Sequence, residues 1–133
     1  MPFIEIANLT KDYGRGRGIF DLSLSMEQGE VFGFVGTNGA GKTTTIRHLM
    51  GFIRPQKGMA AIGGLDCWKD SARIKRQIGY VPGEIAFPDA PTGLDFLKRQ
   101  AELAGLKDLS RMYQLLERLQ LDPTANLKRM SKG

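Results

Sequence analysis

Gly36-Thr37-Asn38-Gly39-Ala40-Gly41-Lys42-Thr43 matches the spacing G-x-x-x-x-G-K-[ST] at every fixed position. Each fixed position has a chemical task. The glycines let the main chain fold back and bring its N–H groups against a polyphosphate without Cβ clashes. Those N–H groups make an anion-binding concavity that leads into the positive end of a helix dipole. Lys42 can reach the terminal phosphates as a point charge, and the Thr43 hydroxyl is a hard ligand suited to Mg²⁺. At ordinary residue usage the pattern arises by chance in a chain this short on the order of once in 200 sequences. The expectation is a nucleoside triphosphate site.

Such a loop works only between a strand that delivers it and a helix that receives it. Val31-Phe32-Gly33-Phe34-Val35 is a continuous apolar run and predicts a buried parallel strand. Thr43 to Met50 predicts the helix, with Ile46, Leu49 and Met50 on its apolar side. Upstream, Phe3–Ile6 and Ile19–Met26 read as short strands around the glycine-rich turn Tyr13–Gly18, and Glu27-Gln28-Gly29-Glu30 as a tight turn. Downstream, Met59–Ile62 reads as a strand closed by Gly63-Gly64, and Asp70 or Ser71 opens a short helix through Gln77. Ile78–Val81 reads as a second buried strand, and the proline-rich stretch Pro82–Pro91 as a loop. Thr92-Gly93-Leu94-Asp95 has the form of a capping box opening a helix to about Ala104. Ser110 begins another helix with Met112, Leu115, Leu116 and Leu119 on one stripe, stopped by Asp122-Pro123.

The fold class expected is α/β: a P-loop NTPase core with a mixed sheet, antiparallel N-terminal strands and the start of a helical subdomain. The division expected is a nucleotide-binding core at residues 1–91 and a helical subdomain at 92–133. Composition agrees with a globular chain, at 41% hydrophobic and 25% charged residues. No apolar stretch approaches the roughly 20 residues of a membrane span. The start lacks the pattern of a signal peptide. Cys67 is the only cysteine, so no internal disulfide can form, and its expected role is packing in a reducing compartment. The net charge of +5 is scattered over several clusters with no aromatic-interleaved stripe, so no nucleic-acid partner is expected.

The wording Asn38-Gly39-Ala40-Gly41-Lys42-Thr43-Thr44, the approach Glu30–Gly36, and the downstream Gly51-Phe52-Ile53-Arg54-Pro55 and Ile78-Gly79-Tyr80-Val81-Pro82 together resemble the ATP-binding subunits of ABC transporters nearly end to end. The resemblance implies ATP with Mg²⁺ as ligands. It assigns Gly36, Thr37, Asn38, Gly39, Ala40, Gly41 and Lys42 to the phosphates, Thr43 to the metal and Thr44 to a further phosphate contact. Tyr13, in Lys11-Asp12-Tyr13-Gly14, matches the aromatic that stacks on adenine. Stacking of a base on an aromatic face is worth about 1–3 kcal/mol. The implied partners are a transmembrane subunit and a second ATPase subunit, with the protein peripheral on the cytoplasmic face of a membrane.

Two departures stand out. Where the family carries glutamine after the proline, this chain has Gly83 and then Glu84. Glu84 is either a substitute metal ligand one position later or a solvated loop charge. Met130-Ser131-Lys132-Gly133 resembles the opening of the family's signature motif, and the metal-holding aspartate, catalytic glutamate and switch histidine implied beyond it are absent from this sequence. His48, the only histidine, lies in the helix after the phosphate loop and reads as a helix-face residue. The expectation is an N-terminal fragment that binds ATP with little hydrolysis. The strand Val31–Val35 would then lack its neighbour, at a cost in stability. The alternatives are a module of a soluble ABC protein or a non-hydrolysing docking piece. A guanine-reading Asn-Lys-x-Asp motif is absent, and two strands precede the loop, which argues against a GTPase or a small-molecule kinase.

Overall fold

The computed structural model describes residues 1–37, 39, 41–83 and 90–130. The expectations that fall on Asn38, Ala40, Glu84 and the signature-like end at 131–133 lie outside them. Contacts divide the chain into two units, Met1–Tyr80 and Val81–Gly133.

In the first unit, β1 (Ile4–Gly14) and β2 (Arg17–Met26) form a long antiparallel hairpin. Its turn, Arg15-Gly16, has φ of 57° and 72°, the left-handed pair that matches strand twist in a two-residue loop. β3 (Lys57–Ile62) pairs antiparallel with the other edge of β1, and β4 (Leu65–Asp66) pairs with β3, giving the order β2-β1-β3-β4. Helices α1 (Lys42–Leu49) and α2 (Ser71–Lys75) complete the unit. The core gathers Ile6, Leu9, Ile19, Ala60, Ile62, Cys67 and Ile74, with Leu22, Leu24, Leu49 and Ile78 packed around it.

β1 runs well past Ile6, where strict alternation of apolar residues ends. The reason is a bulge. Between the pairs Ile6↔Leu24 and Leu9↔Leu22 the first strand holds one more residue than the second, so both Ile6 and Leu9 point to the core. Asn8 occupies the bulge at φ 50°, and Asp21 sits at φ 49° where the opposite strand carries its own extra residue. Asn8 Nδ2 donates to Asp21 Oδ1 at 2.7 Å, and its backbone N–H donates to Ser23 Oγ at 2.9 Å. Asp21 N–H donates to Thr10 Oγ1 at 3.0 Å. Short polar side chains tolerate the left-handed region and satisfy the backbone that the bulge frees. β3 answers with Gly58 at φ 77°, where a Cβ would lie 2.2 Å from Asn8 O.

The sheet among the described residues is antiparallel throughout. The parallel component expected of a mixed sheet is not among its strands: Val31–Val35 and Ile78–Val81 carry no regular secondary structure. No described strand hydrogen-bonds to Val31–Val35, so the segment has no ladder to complete. Phe32 and Phe34 line an apolar groove with Leu24, Met26, Ile46 and Leu49 but stay partly exposed, while Val31 and Val35 face water. Helix α1 also differs in its buried face. Thr45 and His48 are the buried residues and Ile46 is exposed, because the helix turns its hydroxyl and imidazole inward. Cys67 is buried as expected, and burial, helped by the nearby Asp66 charge, pushes its thiol up to about 11.

The second unit contains α3 (Gly93–Leu103) and α4 (Ser110–Arg118), with a short 3₁₀ turn at Leu127–Arg129. Thr92 caps α3, its hydroxyl accepting from Asp95 N–H at 3.2 Å. Leu94 N–H donates to Pro123 O at 2.8 Å and Leu127 N–H to Pro91 O at 3.2 Å, tying the segment after α4 back to the start of α3. Of the stripe expected on α4, Leu116 is buried, whereas Leu115 and Leu119 are exposed.

Candidate nucleotide site

Three sequence neighbourhoods converge beside α1. The helix begins at Gly41, which sits at φ 92° and offers no side-chain cap. A Cβ at Gly41 would lie 2.4 Å from Ile19 Cγ2, so only glycine lets the loop pass this close to β2. Thr45 satisfies the Gly41 carbonyl twice, by its N–H at 2.9 Å and its hydroxyl at 2.8 Å. The N–H groups of Lys42, Thr43 and Thr44 precede the first helical bond and point out of the helix start, as first-turn amides do. The Lys42 ammonium folds over the loop, donating to Gly36 O and, at 3.1 Å, to Thr37 O.

Opposite stands the end of the β1–β2 hairpin. Its root is clamped by Gln56, whose Oε1 accepts from Asp12 N–H at 2.9 Å and whose Nε2 donates to Asp12 O at 3.3 Å. Gln56 N–H also donates to Thr10 O at 3.0 Å. Asp12 Oδ1 accepts from Gly14 N–H at 2.7 Å, shaping the backbone around Tyr13. The Tyr13 ring is half exposed, with Lys11 Nζ 5.8 Å from its centroid. Nothing in the local pattern marks Gln56 as a support for Tyr13, since the contact joins positions far apart in the chain.

Between the two lies an open cavity of about 490 Å³. Tyr13, Arg17 and Gly18 form the hairpin side, and Thr37, Gly39, Gly41, Lys42, Thr43 and Thr44 form the loop and helix side. That volume falls within the range of small-molecule sites, about 300–1,000 Å³. Of the residues singled out in the sequence, Tyr13, Thr37, Gly39, Gly41, Lys42, Thr43 and Thr44 share this cavity. Gly36 contributes its carbonyl to Lys42 from outside the lining. Asn38, Ala40 and Glu84 lie outside the described residues. Arg17 lines the cavity and carries no sequence signal that singled it out. Among the described residues, no cluster of three or more histidine, cysteine or acidic side chains could hold a metal, and the hydroxyl-bearing residues that line the cavity are Tyr13, Thr37, Thr43 and Thr44.

Beneath the site, His48 is 2% exposed. Its Nδ1 lies 2.8 Å from Thr44 O, so the neutral ring keeps its proton on Nδ1 and donates there. Nε2 is buried without a protein partner among the described residues. Burial pulls its pKa below the usual 6.5, against the opposing Thr44 hydrogen bond and with a small contribution from the Lys11 charge.

The model of the ABC transporter family matches residues 19–133. The chain belongs to the ABC transporter family. This ABC chain is 36% identical over 114 residues to the bacitracin transport ATP-binding protein BcrA of Bacillus licheniformis, covering 86% of this chain and 37% of that protein. It is 33% identical over 129 residues to the SkfA peptide export ATP-binding protein SkfE of Bacillus subtilis (strain 168), covering 95% of this chain and 53% of the relative. A solved ATP-binding subunit of an ABC transporter superposes with a TM-score of 0.80 at 27% identity, over 98% of this chain and 56% of that one. A Pyrococcus furiosus ABC ATP-binding protein gives 0.77 at 29% identity, over 98% and 64%. The ABC chain therefore spans roughly a third to two thirds of the length of these proteins, and its fold is the P-loop ABC ATPase type. No helix among the described residues is long and apolar enough to cross a membrane.

Proposed function

We propose that the cavity holds Mg-ATP, with the adenine stacked on Tyr13 and the phosphates held by Gly36–Lys42, Thr43 and Thr44. The observation that supports this reading is the convergence of Tyr13 and Lys42–Thr44, distant in sequence, on one cavity. Tyr13 offers a flat face that accepts any base, and the first-turn amides of α1 offer donors aimed at anionic oxygens. Lys42 exchanges its two carbonyl acceptors for phosphate oxygens, trading neutral partners for a charge-assisted one. Thr43 would hold Mg²⁺, which neutralises phosphate charge when bound. A hydroxyl at the mouth of a helix fits that hard cation.

In the whole protein we infer that this site drives transport across a membrane, through a transmembrane subunit and a second ATPase subunit, from the cytoplasmic face. Export is the direction favoured by the peptide export named for the relative SkfE. The 133-residue chain alone is expected to bind ATP and release phosphate slowly, since oriented water and charge stabilisation in trans come from groups it does not supply. Calorimetry with Mg-ATP is expected to show saturable binding that Lys42→Ala weakens at least about tenfold, roughly 1.4 kcal/mol. Absence of binding, or binding indifferent to Lys42→Ala, overturns the reading. Sustained phosphate release by the chain alone overturns the proposed division of labour.

A further inference from the structure

We infer that Arg17 binds the part of the nucleotide between base and terminal phosphates, meaning the ribose and the phosphate attached to it. This rests on the reading that the cavity is a nucleotide site. Arg17 opens β2 and pairs with Gly14 across the hairpin turn. The next residue, Gly18, lies at φ 133°, and a Cβ there would meet Lys11 O at 1.8 Å. Gly18 O in turn lies 3.5 Å from where a Gly41 Cβ would be. The hairpin and the start of α1 are thus in near contact at Gly18, and Arg17 is fixed one residue from that contact.

Its place in the cavity follows. Tyr13 and Arg17 line the cavity from the hairpin, and Lys42–Thr44 line it from the start of α1. A base at Tyr13 and a phosphate tail at the loop leave the sugar and its first phosphate to pass the hairpin side. Among the described residues no carboxylate lines the cavity, and Arg17 and Lys42 are the two cations that do. They differ in commitment. The Lys42 ammonium donates to two loop carbonyls, whereas the Arg17 guanidinium has no hydrogen-bond acceptor among the described residues. A guanidinium presents a planar fork that grips two oxygens at once, on a phosphate or on a phosphate and an adjacent hydroxyl. Arg15, two residues away on the same turn, carries equal charge but does not line the cavity.

The test titrates the full chain with Mg-ATP and Mg-ADP by calorimetry, in wild type, Arg17→Gln, Arg17→Lys and Arg15→Asn. Arg15 sits at φ 57°, and asparagine keeps that conformation while removing the charge. Arg17→Gln is expected to weaken ATP and ADP by the same factor, about tenfold, as for loss of a charge-assisted contact. Arg17→Lys keeps charge without the fork and should lose a few-fold, and Arg15→Asn should match wild type. Unchanged affinity in both Arg17 variants overturns the inference. So does an equal loss in Arg15→Asn, which would reduce the effect to general charge. A loss confined to ATP would move Arg17 to the terminal phosphate and overturn the placement. Should Arg17→Gln fail to fold, Arg17→Lys decides alone, by showing or lacking the matched loss for both nucleotides. A wild type that binds neither nucleotide is a failure of the site reading itself, seen before any variant is compared.

Discussion

Between Ile4 and Met26 the chain folds into a hairpin that absorbs three register shifts and still buries Ile6, Leu9 and Ile19 almost completely. Between Val31 and Val35, an equally apolar run remains outside the sheet, with Val31 and Val35 101% and 93% exposed. The difference is one of where the partners lie. β1 meets β2 across a two-residue turn, so loop closure costs little and the ladder forms locally. A continuous apolar run needs both edges hydrogen-bonded and both faces covered, all by distant elements. Here α1 and β2 give one face a groove for Phe32 and Phe34, and no described strand gives either edge a ladder. Hydrophobicity states a demand for burial, and topology decides whether the demand is met.

The largest break in that contrast should come from the buried hairpin. Leu9 is 0% exposed, and Leu9→Ala is expected to lower unfolding free energy by about 2–5 kcal/mol. Val35→Ala, in the run that faces water, should change it by no more than about 0.5 kcal/mol. Urea unfolding of the two variants measures the difference, and equal losses would mean that Val31–Val35 is packed in solution. Next in size is Gly58→Ala, which forces a Cβ against two β1 carbonyl oxygens at φ 77°, with an expected cost of about 1–3 kcal/mol. Its thermal midpoint should fall, and a neutral result would show that the bulge at Asn8 relaxes freely.

The smallest effect is confined to acid solution and tests whether α1 is as well seated as the hairpin. His48 titrates below its usual 6.5 when folded, so the unfolded chain takes up a proton that the folded chain resists. Above 6.5 both states are neutral there and the contribution is complete. As pH falls below 6.5 toward the lower folded value, stability is lost, and the loss levels off beyond it. Because His48 is the only histidine, His48→Leu should flatten the stability curve between pH about 7.5 and about 5. An unchanged slope in that variant would show that the imidazole is not sealed beneath the loop.

Much of the site is legible in residue order. Gly36, Gly41, Lys42 and Thr43 form a pattern whose chemistry is contained in one turn of chain, and Tyr13 is marked by the family resemblance of Lys11-Asp12-Tyr13-Gly14. The support is not legible. Gln56 reaches Asp12 across the fold, Arg17 joins the cavity because Gly18 approaches Gly41, and His48 turns inward on a helix whose apolar residues suggested another face. β1 read as ending at Ile6 because the bulge at Asn8 hides the alternation that continues to Leu9.

Sequence alone thus settled features that depend on neighbours a few residues apart: the helix start after Gly41, the Thr92 helix cap and the Gly63-Gly64 turn. Tertiary structure alone decided which apolar residues are buried, which side chains share the cavity and where the sheet stops. The reason is the range of the interactions. A cap or a turn is satisfied by atoms within one turn of chain, whereas burial and ladder pairing require a surface that exists only once remote segments have met.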